Sequence, residues 1–207
     1  MFGAKKGTNY DGLNIPTLAP GIYKGGELKD VKKDRTTPKD GGEGIAILTY
    51  TLEFPEGLHQ VTEYDIKPDA KDAEKKADNL VKRLGHVLRQ FGIPQETIDA
   101  NTSTTFAQLQ DWFMSTLGQS YVGVKSLELK VVGSVYNGTA KSEIPGYIPF
   151  LANTARIGYK PLSFSASENS NNAAYKNHTN ATPDTEQSSS GASSSGLTPN
   201  KGVDTDF

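Results

Sequence analysis

Tyrosines and phenylalanines recur in this sequence beside lysines and arginines, within segments typical of strands and the loops that join them. The aromatic members are Tyr23, Tyr50, Tyr64, Tyr136, Tyr147 and Phe150, and the cationic members are Lys24, Lys32, Lys33, Arg35, Lys39, Lys125, Lys130 and Lys141. Aromatic rings stack on nucleobases of any identity, while lysine and arginine follow the phosphates. The group therefore predicts a groove for a single-stranded nucleic acid. Any one tyrosine can equally be a packing residue of a strand, and any one lysine part of a solvated face.

Residues that could catalyse a reaction are sparse. Asp65-Ile66-Lys67 has the acid-x-lysine spacing of half a metal-dependent nuclease site, for which Glu43, Glu53 or Glu63 would supply another carboxylate. The upstream metal-binding acid that such a site needs cannot be identified. No serine or threonine stands in a nucleophile-elbow context, and no histidine has an evident acid partner. We therefore expect no enzymatic activity and no catalytic residue.

Cofactor and metal sites are not expected either. The chain has no cysteine and only three histidines, which are scattered, so neither a thiolate nor a histidine zinc site is predicted. Gly41-Gly42-Glu43-Gly44 leads into a strand and contains an acid, whereas a phosphate-cradling loop opens a helix with a lysine and a hydroxyl.

The end of the sequence carries a different kind of chemistry. Asp204 and Asp206 precede a terminal Phe207, which places two acids, an aromatic ring and the chain's terminal carboxylate together. This combination suits a basic, apolar pocket on a partner protein, or the chain's own basic groove. An arbitrary disordered tail is the alternative interpretation.

Composition divides the chain into three parts. Residues 165–207 hold few sizeable apolar residues among serines, asparagines and glycines, so burial cannot offset their ordering entropy. We predict an N-terminal arm over residues 1–19, one nucleic-acid-binding domain over 20–164 and a disordered acidic tail over 165–207. The tail has five acids and two bases, a net charge of −3, and the rest of the chain is at +1.

The apolar pattern bears on location. The N-terminal residues contain no apolar run typical of a signal peptide, and no stretch approaches membrane-spanning length. We therefore expect a protein of the cytoplasm of the cell that makes it, with no membrane partner.

The first half of the domain has strand periodicity. A strand begins at Gly21 and contains the pair Gly25-Gly26, which indicates a bulge. A polar, basic loop is predicted over residues 32–42. Ile45 to Phe54 and Leu58 to Ile66 are the next two strands, joined by a turn at Pro55-Glu56-Gly57.

The period then changes from two to 3.6. Apolar residues at helical spacing predict a helix that is capped near Asp69 and ends at Gly92, followed by a short turn or helix over residues 94–100. A second helix is expected to begin at Thr105, whose spacing to Gln108 fits a capping box.

Alternation returns after these helices. A strand is predicted over residues 121–131, and Asn137-Gly138 predicts a type I′ hairpin into a last strand up to Ile144. Three strands, inserted helices and a hairpin match a mainly β, α+β fold: a five-stranded oligonucleotide/oligosaccharide-binding (OB-fold) barrel with helices between strands three and four. A generic α+β sheet with helices on one face has the same order.

Two passages resemble phage-encoded single-stranded DNA-binding proteins of the OB-fold type. The first is the acidic tip that ends in Phe207, and the second is residues 136–150, which look like the closing strand of small phage replication and recombination binders. The resemblance implies a protein that protects single-stranded DNA during replication or recombination in a bacterial host. It also implies that Asp204, Asp206 and Phe207 recruit replication or recombination proteins. Further copies of the chain are a candidate partner, as a homo-oligomer.

Two other functions fit the same residues. A non-enzymatic structural or cargo protein of a virion would use the sheet for protein contacts. A single-strand annealing recombination protein would bind single strands and also accelerate complementary pairing.

Overall fold

The computed structural model describes residues 8–10, 13–15, 17–36 and 44–181 of the chain. The strands before the first helix are β1 Thr8–Tyr10, β2 Leu13–Ile15, β3 Gly21–Arg35, β4 Ala46–Phe54 and β5 Gly57–Tyr64. The helices α1 Ala73–Gln90, α2 Gln95–Asp99 and α3 Phe106–Leu117 follow. The remaining elements are β6 Leu127–Tyr136, β7 Thr139–Glu143, β8 Leu151–Asn153 and α4 Ala166–Ala181.

The fold is mixed, with helices added to a six-stranded antiparallel sheet in the order β5-β4-β3-β6-β7, in which β8 also pairs with β6. β1 and β2 form a separate two-stranded sheet. The predicted order of three strands, helices and a hairpin is confirmed. Asn137 and Gly138 both have positive φ, at 48° and 71°, as the type I′ turn requires.

The long strand β3 belongs to both halves of the sheet. Its first half pairs with β6 and its second half pairs with β4. The register shifts between Lys24 and Gly26, which leaves Gly25 unpaired at φ +75°, so the predicted glycine bulge is confirmed. Gly26 is required for another reason, because a Cβ there would lie 2.2 Å from the Phe54 ring.

The predicted closed barrel is wrong for the described residues, since the edge strands β5 and β7 do not pair. After β7 the chain leaves the sheet over residues 144–150 and returns as β8 along the same edge of β6. The Arg83 side chain of α1 stands where backbone pairing would close a barrel: it donates to Glu63 of β5 and to the carbonyl oxygen of Pro145.

The core lies between the sheet and the helices α1 and α3. Leu48, Tyr50 and Leu52 of β4 face Leu84 and Phe113 of these helices, and all five are completely buried. Thr105 caps α3 with the predicted capping box, through Gln108. The predicted cap of α1 is wrong, because that helix begins after Asp72 rather than after Asp69.

Two other local predictions are corrected. Residues 121–124 form turns rather than a strand, and β6 begins only at Leu127. Lys32, Lys33 and Arg35 belong to β3 rather than to a loop, because β3 continues to pair with β4 as far as Arg35.

The helix α4 corrects the predicted disordered tail over residues 166–181. Ser165 and Glu168 form a capping box: Ser165 Oγ accepts from the Glu168 backbone at 3.2 Å, and Glu168 accepts from the Ser165 N–H at 2.6 Å. The helix packs on β6, where Tyr175 is buried and Asn172 accepts a hydrogen bond from the Gly133 backbone at 2.7 Å. The rest of the predicted tail, residues 182–207, lies outside the described residues.

Across the described ranges, none of the helices is both long enough and apolar enough to cross a bilayer. The same residues contain no cluster of three or more histidines or acids that could hold a metal ion.

Candidate nucleic-acid interface

The side of β3, β4 and β5 that points away from α1 and α3, called the outer face below, carries a ring and a cation in adjacent rows. Lys32 pairs with Thr49, which pairs with Thr62. In the next row on the same side, Ile47 pairs with Tyr64. Paired residues share a face and successive residues alternate between faces, so these five side chains lie opposite the buried side of β4.

The ring and the cation on the outer face are accessible. Tyr64 is 55% exposed and the Lys32 side chain is 66% exposed, while Thr49 and Thr62 are half-buried between them. Neighbouring strands are about 5 Å apart, and side chains on one face repeat every ~7 Å along a strand. Two strand spacings and one row, about 12 Å in all, separate the positions of Tyr64 and Lys32. A flexible strand can therefore place one base on the Tyr64 ring and a phosphate further along near Lys32.

Carboxylates accompany the cations of this face. Lys32 Nζ lies 2.6 Å from Asp30, and Lys29 Nζ lies 2.8 Å from Glu27 and 2.7 Å from Glu53. Hydrogen bonding to Glu27 and Glu53 raises the pKa of Lys29, and the bond from Lys29 lowers the pKa of Glu27. Such exposed ion pairs contribute about 0–1 kcal/mol, so a phosphate can replace the carboxylate at little cost.

Two predicted cations at this end of β3 lie on the opposite, core-facing side. Lys33 pairs across the strands with the buried Leu48, and its ammonium contacts Asp111 of α3. Arg35 pairs with Ala46 and lines a shallow cavity at the end of the sheet. Neither side chain belongs to the outer face.

Three predicted residues lie on or beside the first half of β3. Lys24 Nζ is 3.5 Å from Glu128, and Lys125 Nζ is 4.0 Å from Glu27. Tyr23 is half-buried; its hydroxyl donates to the Ala19 carbonyl oxygen at 2.7 Å. The lysines remain accessible, whereas the Tyr23 ring is held mainly as a packing residue beside Phe54.

Tyr136 and Lys141 lie on β6 and β7, which do not pair with the β5 strand that carries Tyr64. They flank the turn between β6 and β7, where both are exposed. β6 pairs with the first residues of β3, beginning at Gly21, whereas the row that contains Lys32 lies near the end of that strand. The predicted residues therefore do not line a single groove.

Three predicted nucleic-acid contacts are corrected because their side chains are buried. Phe150 has no exposed surface, and its ring lies in the core beside the Arg83 guanidinium. Tyr50 has no exposed surface and donates to Glu63 at 3.3 Å, in the core under α3. Lys130 is 4% exposed and is enclosed by α4, where it lies 2.9 Å from Glu168 and donates to the Ser163 carbonyl oxygen at 3.1 Å.

Tyr147 is exposed, and its ring lies 5.6 Å from the Lys130 ammonium rather than on the outer face. The other predicted site residues lie outside the described residues. These are Lys39 in the predicted basic loop and the predicted partner-binding residues Asp204, Asp206 and Phe207.

Sequence reasoning missed the hydroxyl and amide side chains of the outer face. Thr49, Thr62 and the exposed Gln60 alternate with buried residues of β4 and β5. The period-two pattern of these strands is the signal that assigns them to the same side as Tyr64. Thr49 and Thr62 supply hydrogen-bonding groups between the ring and the cation, and Gln60 supplies one in the next row beyond Lys32.

Comparison of the chain with protein-family models, with curated proteins and with solved structures finds no match.

Proposed function

We propose that this protein binds single-stranded DNA on the outer face of its sheet and acts as a binding protein rather than as an enzyme. The observation that carries the proposal is the pairing register that sets the exposed Tyr64 ring one row from the exposed Lys32 ammonium. A stacking ring and a cation that share one accessible face are the minimal needs of sequence-tolerant strand binding.

The chemistry of the face supports binding without a preference for one sequence. The Tyr64 ring stacks on a base through its π-face, which every nucleobase offers. Thr49, Thr62 and Gln60 provide donors and acceptors that rotate to suit different base edges. The exposed Lys32 exchanges its half-buried partner Asp30 for a phosphate.

Strand order gives a further argument, by analogy of fold. In OB folds the face of the second and third strands binds oligonucleotides. In this chain β4 and β5 are the second and third strands when the long β3 is counted as the first, and they carry the outer face. This correspondence supports the proposal by analogy, although the sheet is open.

The biological role that we propose is protection of unpaired DNA during phage replication or recombination in the cytoplasm of a bacterial host. The acidic tip with Asp204, Asp206 and Phe207 then recruits replication or recombination proteins. This part of the proposal rests on the sequence resemblance.

A titration of the full chain with a thymidine oligonucleotide tests the proposal. We expect quenching of the intrinsic tyrosine and tryptophan fluorescence, with an affinity that falls steeply as salt is raised because bound cations are released from the DNA. A duplex of equal length is the control, and it should compete poorly because its bases are already stacked.

Other outcomes separate the rival functions. If no oligonucleotide changes the fluorescence at low salt, the proposal fails and a structural or cargo role in a virion is favoured. If the protein binds single strands and also accelerates the pairing of two complementary strands, it is a single-strand annealing protein.

A further inference from the structure

A cavity of about 490 Å³ lies on the helical side of the molecule, away from the outer face. Its walls come from the last turn of α1, from β8 and from the turn that follows β8 over residues 154–160. Arg89, Arg156 and Lys160 line it, and none of its lining residues in the described chain is acidic. The cavity is therefore surrounded by positive charge.

These three cations differ from most others near the sheet. Lys24, Lys29 and Lys32 each have a carboxylate partner within 3.5 Å. Among the residues that the structure describes, Arg89, Arg156 and Lys160 form no ion pair, although they gather at one cavity. Like charges around a common space repel one another, and an anion bound between them would relieve that repulsion.

A buried histidine points to a ligand independently of these charges. His86 lines the same cavity and is 6% exposed, and its Nε2 atom is buried without a hydrogen-bond partner. Buried polar atoms without partners are rare in folded proteins. The ring also hydrogen-bonds to the Leu151 backbone, which leaves Nε2 as the open nitrogen. An anion bound beside Nε2 favours protonation of that nitrogen, and the resulting Nε2–H group donates to an oxygen of the anion.

The cavity walls are held in place by hydrogen bonds between α1 and β8. The Asn153 backbone N–H donates to the Gln90 side chain at 3.1 Å, and the Asn153 side-chain amide donates to the Gln90 carbonyl oxygen at 2.8 Å. Gln90 in turn donates to the carbonyl oxygen of His86 at 3.1 Å. The walls are thus organised before any ligand enters, as is usual for binding sites.

We propose that this cavity binds a phosphate group. Arginine guanidinium groups donate paired hydrogen bonds that match the spacing of phosphate oxygens, and Lys160 adds a point charge at the rim. The phosphate belongs either to a free phosphate compound or to a nucleic-acid strand. The inference does not depend on the proposed function, because Tyr64 and Lys32 lie on the other side of the sheet.

The test is a ¹H–¹⁵N NMR titration of the full chain with inorganic phosphate, with sodium chloride at equal ionic strength as the reference. We expect saturable shifts in the amides of residues 153–160 and in the His86 ring signal. The double variant R156A/K160A should weaken this response about tenfold or more. The matched control K75A/K76A removes two exposed lysines of α1 that do not line the cavity, and it should respond as the unaltered chain does.

The inference is overturned if phosphate shifts these signals no more than chloride does, or if R156A/K160A responds like the control. Dispersed spectra of both variants show that they fold. A thymidine oligonucleotide that shifts the same signals identifies the phosphate of a strand as the ligand, whereas a response to inorganic phosphate alone identifies a free phosphate compound. Tyr64→Ala should leave the phosphate response intact. The proposed DNA binding on the outer face and the proposed phosphate binding in the cavity can therefore be refuted independently.

Discussion

Arg83 donates two hydrogen bonds to a single oxygen of Glu63, from Nε at 3.0 Å and from Nη2 at 2.8 Å. Its remaining terminal nitrogen donates to the Pro145 carbonyl oxygen, just beyond β7. The guanidinium also lies 4.8 Å from the centre of the Phe150 ring. One side chain of α1 thereby joins the two edges of the sheet that backbone pairing leaves apart.

Replacing Arg83 by methionine should destabilise the fold by about 3–5 kcal/mol, because the Glu63 carboxylate would remain buried without its charged partner. Urea unfolding measures this change. The matched variant Lys82→Met alters an exposed neighbour on α1 and should shift the free energy of unfolding by less than about 0.5 kcal/mol. Equal stability of the two variants would show that the bridge does not hold the edges together.

Acid should release α4 from the sheet. Burial raises the pKa of Glu168, but the Ser165 backbone N–H, the Lys130 ammonium and the Tyr147 hydroxyl lower it more, so its pKa lies below the ordinary 4.5. The carboxylate therefore stabilises the fold above about pH 4.5, and this contribution is lost as the pH falls through the lower, folded-state pKa.

Hydrogen exchange of the Gly133 amide reports this release, because that N–H donates to Asn172 of α4. We expect faster exchange below pH 4.5 after correction for the intrinsic rate, while amides inside β4 stay protected. Glu168→Gln should make the Gly133 amide exchange faster already at neutral pH, since it leaves the Lys130 ammonium buried and unpaired. Unchanged protection in that variant would contradict the assigned role of the ion pair.

Two buried histidines should make the protein less stable as the solution is acidified. Desolvation lowers the pKa of His59 and of His86 to about 4, from 6.5. Their folded-state pKa values are depressed, so the stability that they confer is complete above pH 6.5 and is lost as the pH falls towards 4. Each proton taken up on unfolding adds a slope of about 1.4 kcal/mol per pH unit.

The variant His59→Leu should reduce that slope between pH 6.5 and 5, as measured by urea unfolding at a series of pH values. His178→Ala is the control with the opposite sign, because the Gly138 carbonyl oxygen raises the pKa of His178. His178→Ala should leave unchanged the fall in the free energy of unfolding on acidification. A slope that is the same in His59→Leu as in the unaltered chain would show that His59 does not titrate on unfolding.

Gly26→Ala should destabilise the sheet by about 1–3 kcal/mol, because the added methyl group would lie 2.2 Å from the Phe54 ring. Thermal unfolding followed by circular dichroism measures the change. Gly146→Ala is the matched control, since nothing lies within 4 Å of a Cβ at that position. Similar midpoints for the two variants would mean that Phe54 moves aside at little cost.

Tyr64→Ala should weaken binding of a thymidine oligonucleotide about tenfold or more, since one stacked base contributes about 1–3 kcal/mol. Fluorescence anisotropy of a labelled strand at fixed salt measures the affinity. Tyr136→Ala removes an equally accessible ring at the β6–β7 turn, off the outer face, and should leave the affinity unchanged. Equal losses of affinity in both variants would mean that the oligonucleotide also contacts the β6–β7 turn.

Local signals in the sequence predicted much of the fold. Thr105 with Gln108, and Asn137 with Gly138, specify their cap and their turn through neighbouring atoms alone. The same kind of signal was present at Ser165 and Glu168, but the polar composition around them hid a helix that is held by tertiary contacts.

Features set by distant residues could not be predicted in this way. Lys130 alternates with apolar residues as a solvated lysine would, and only the packing of α4 buries it. Tyr50 shows the same ambiguity, since a strand tyrosine can face either side until its partners are known. The failure of the sheet to close could not be predicted either, because it involves Arg83, whose side chain bridges two edges of the sheet that are far apart in sequence.

The shared strand β3 also constrains the order in which the molecule can assemble during its synthesis. The end of β3 can pair with β4 soon after both strands leave the ribosome. The start of β3 cannot pair so early, because Gly21 pairs with Val131, which is synthesised much later. Until β6 emerges, the start of β3 presents bare backbone donors and acceptors to its surroundings. An incompletely synthesised chain can therefore form intermolecular β-pairing through the start of β3, and synthesis of β6 removes this exposed edge.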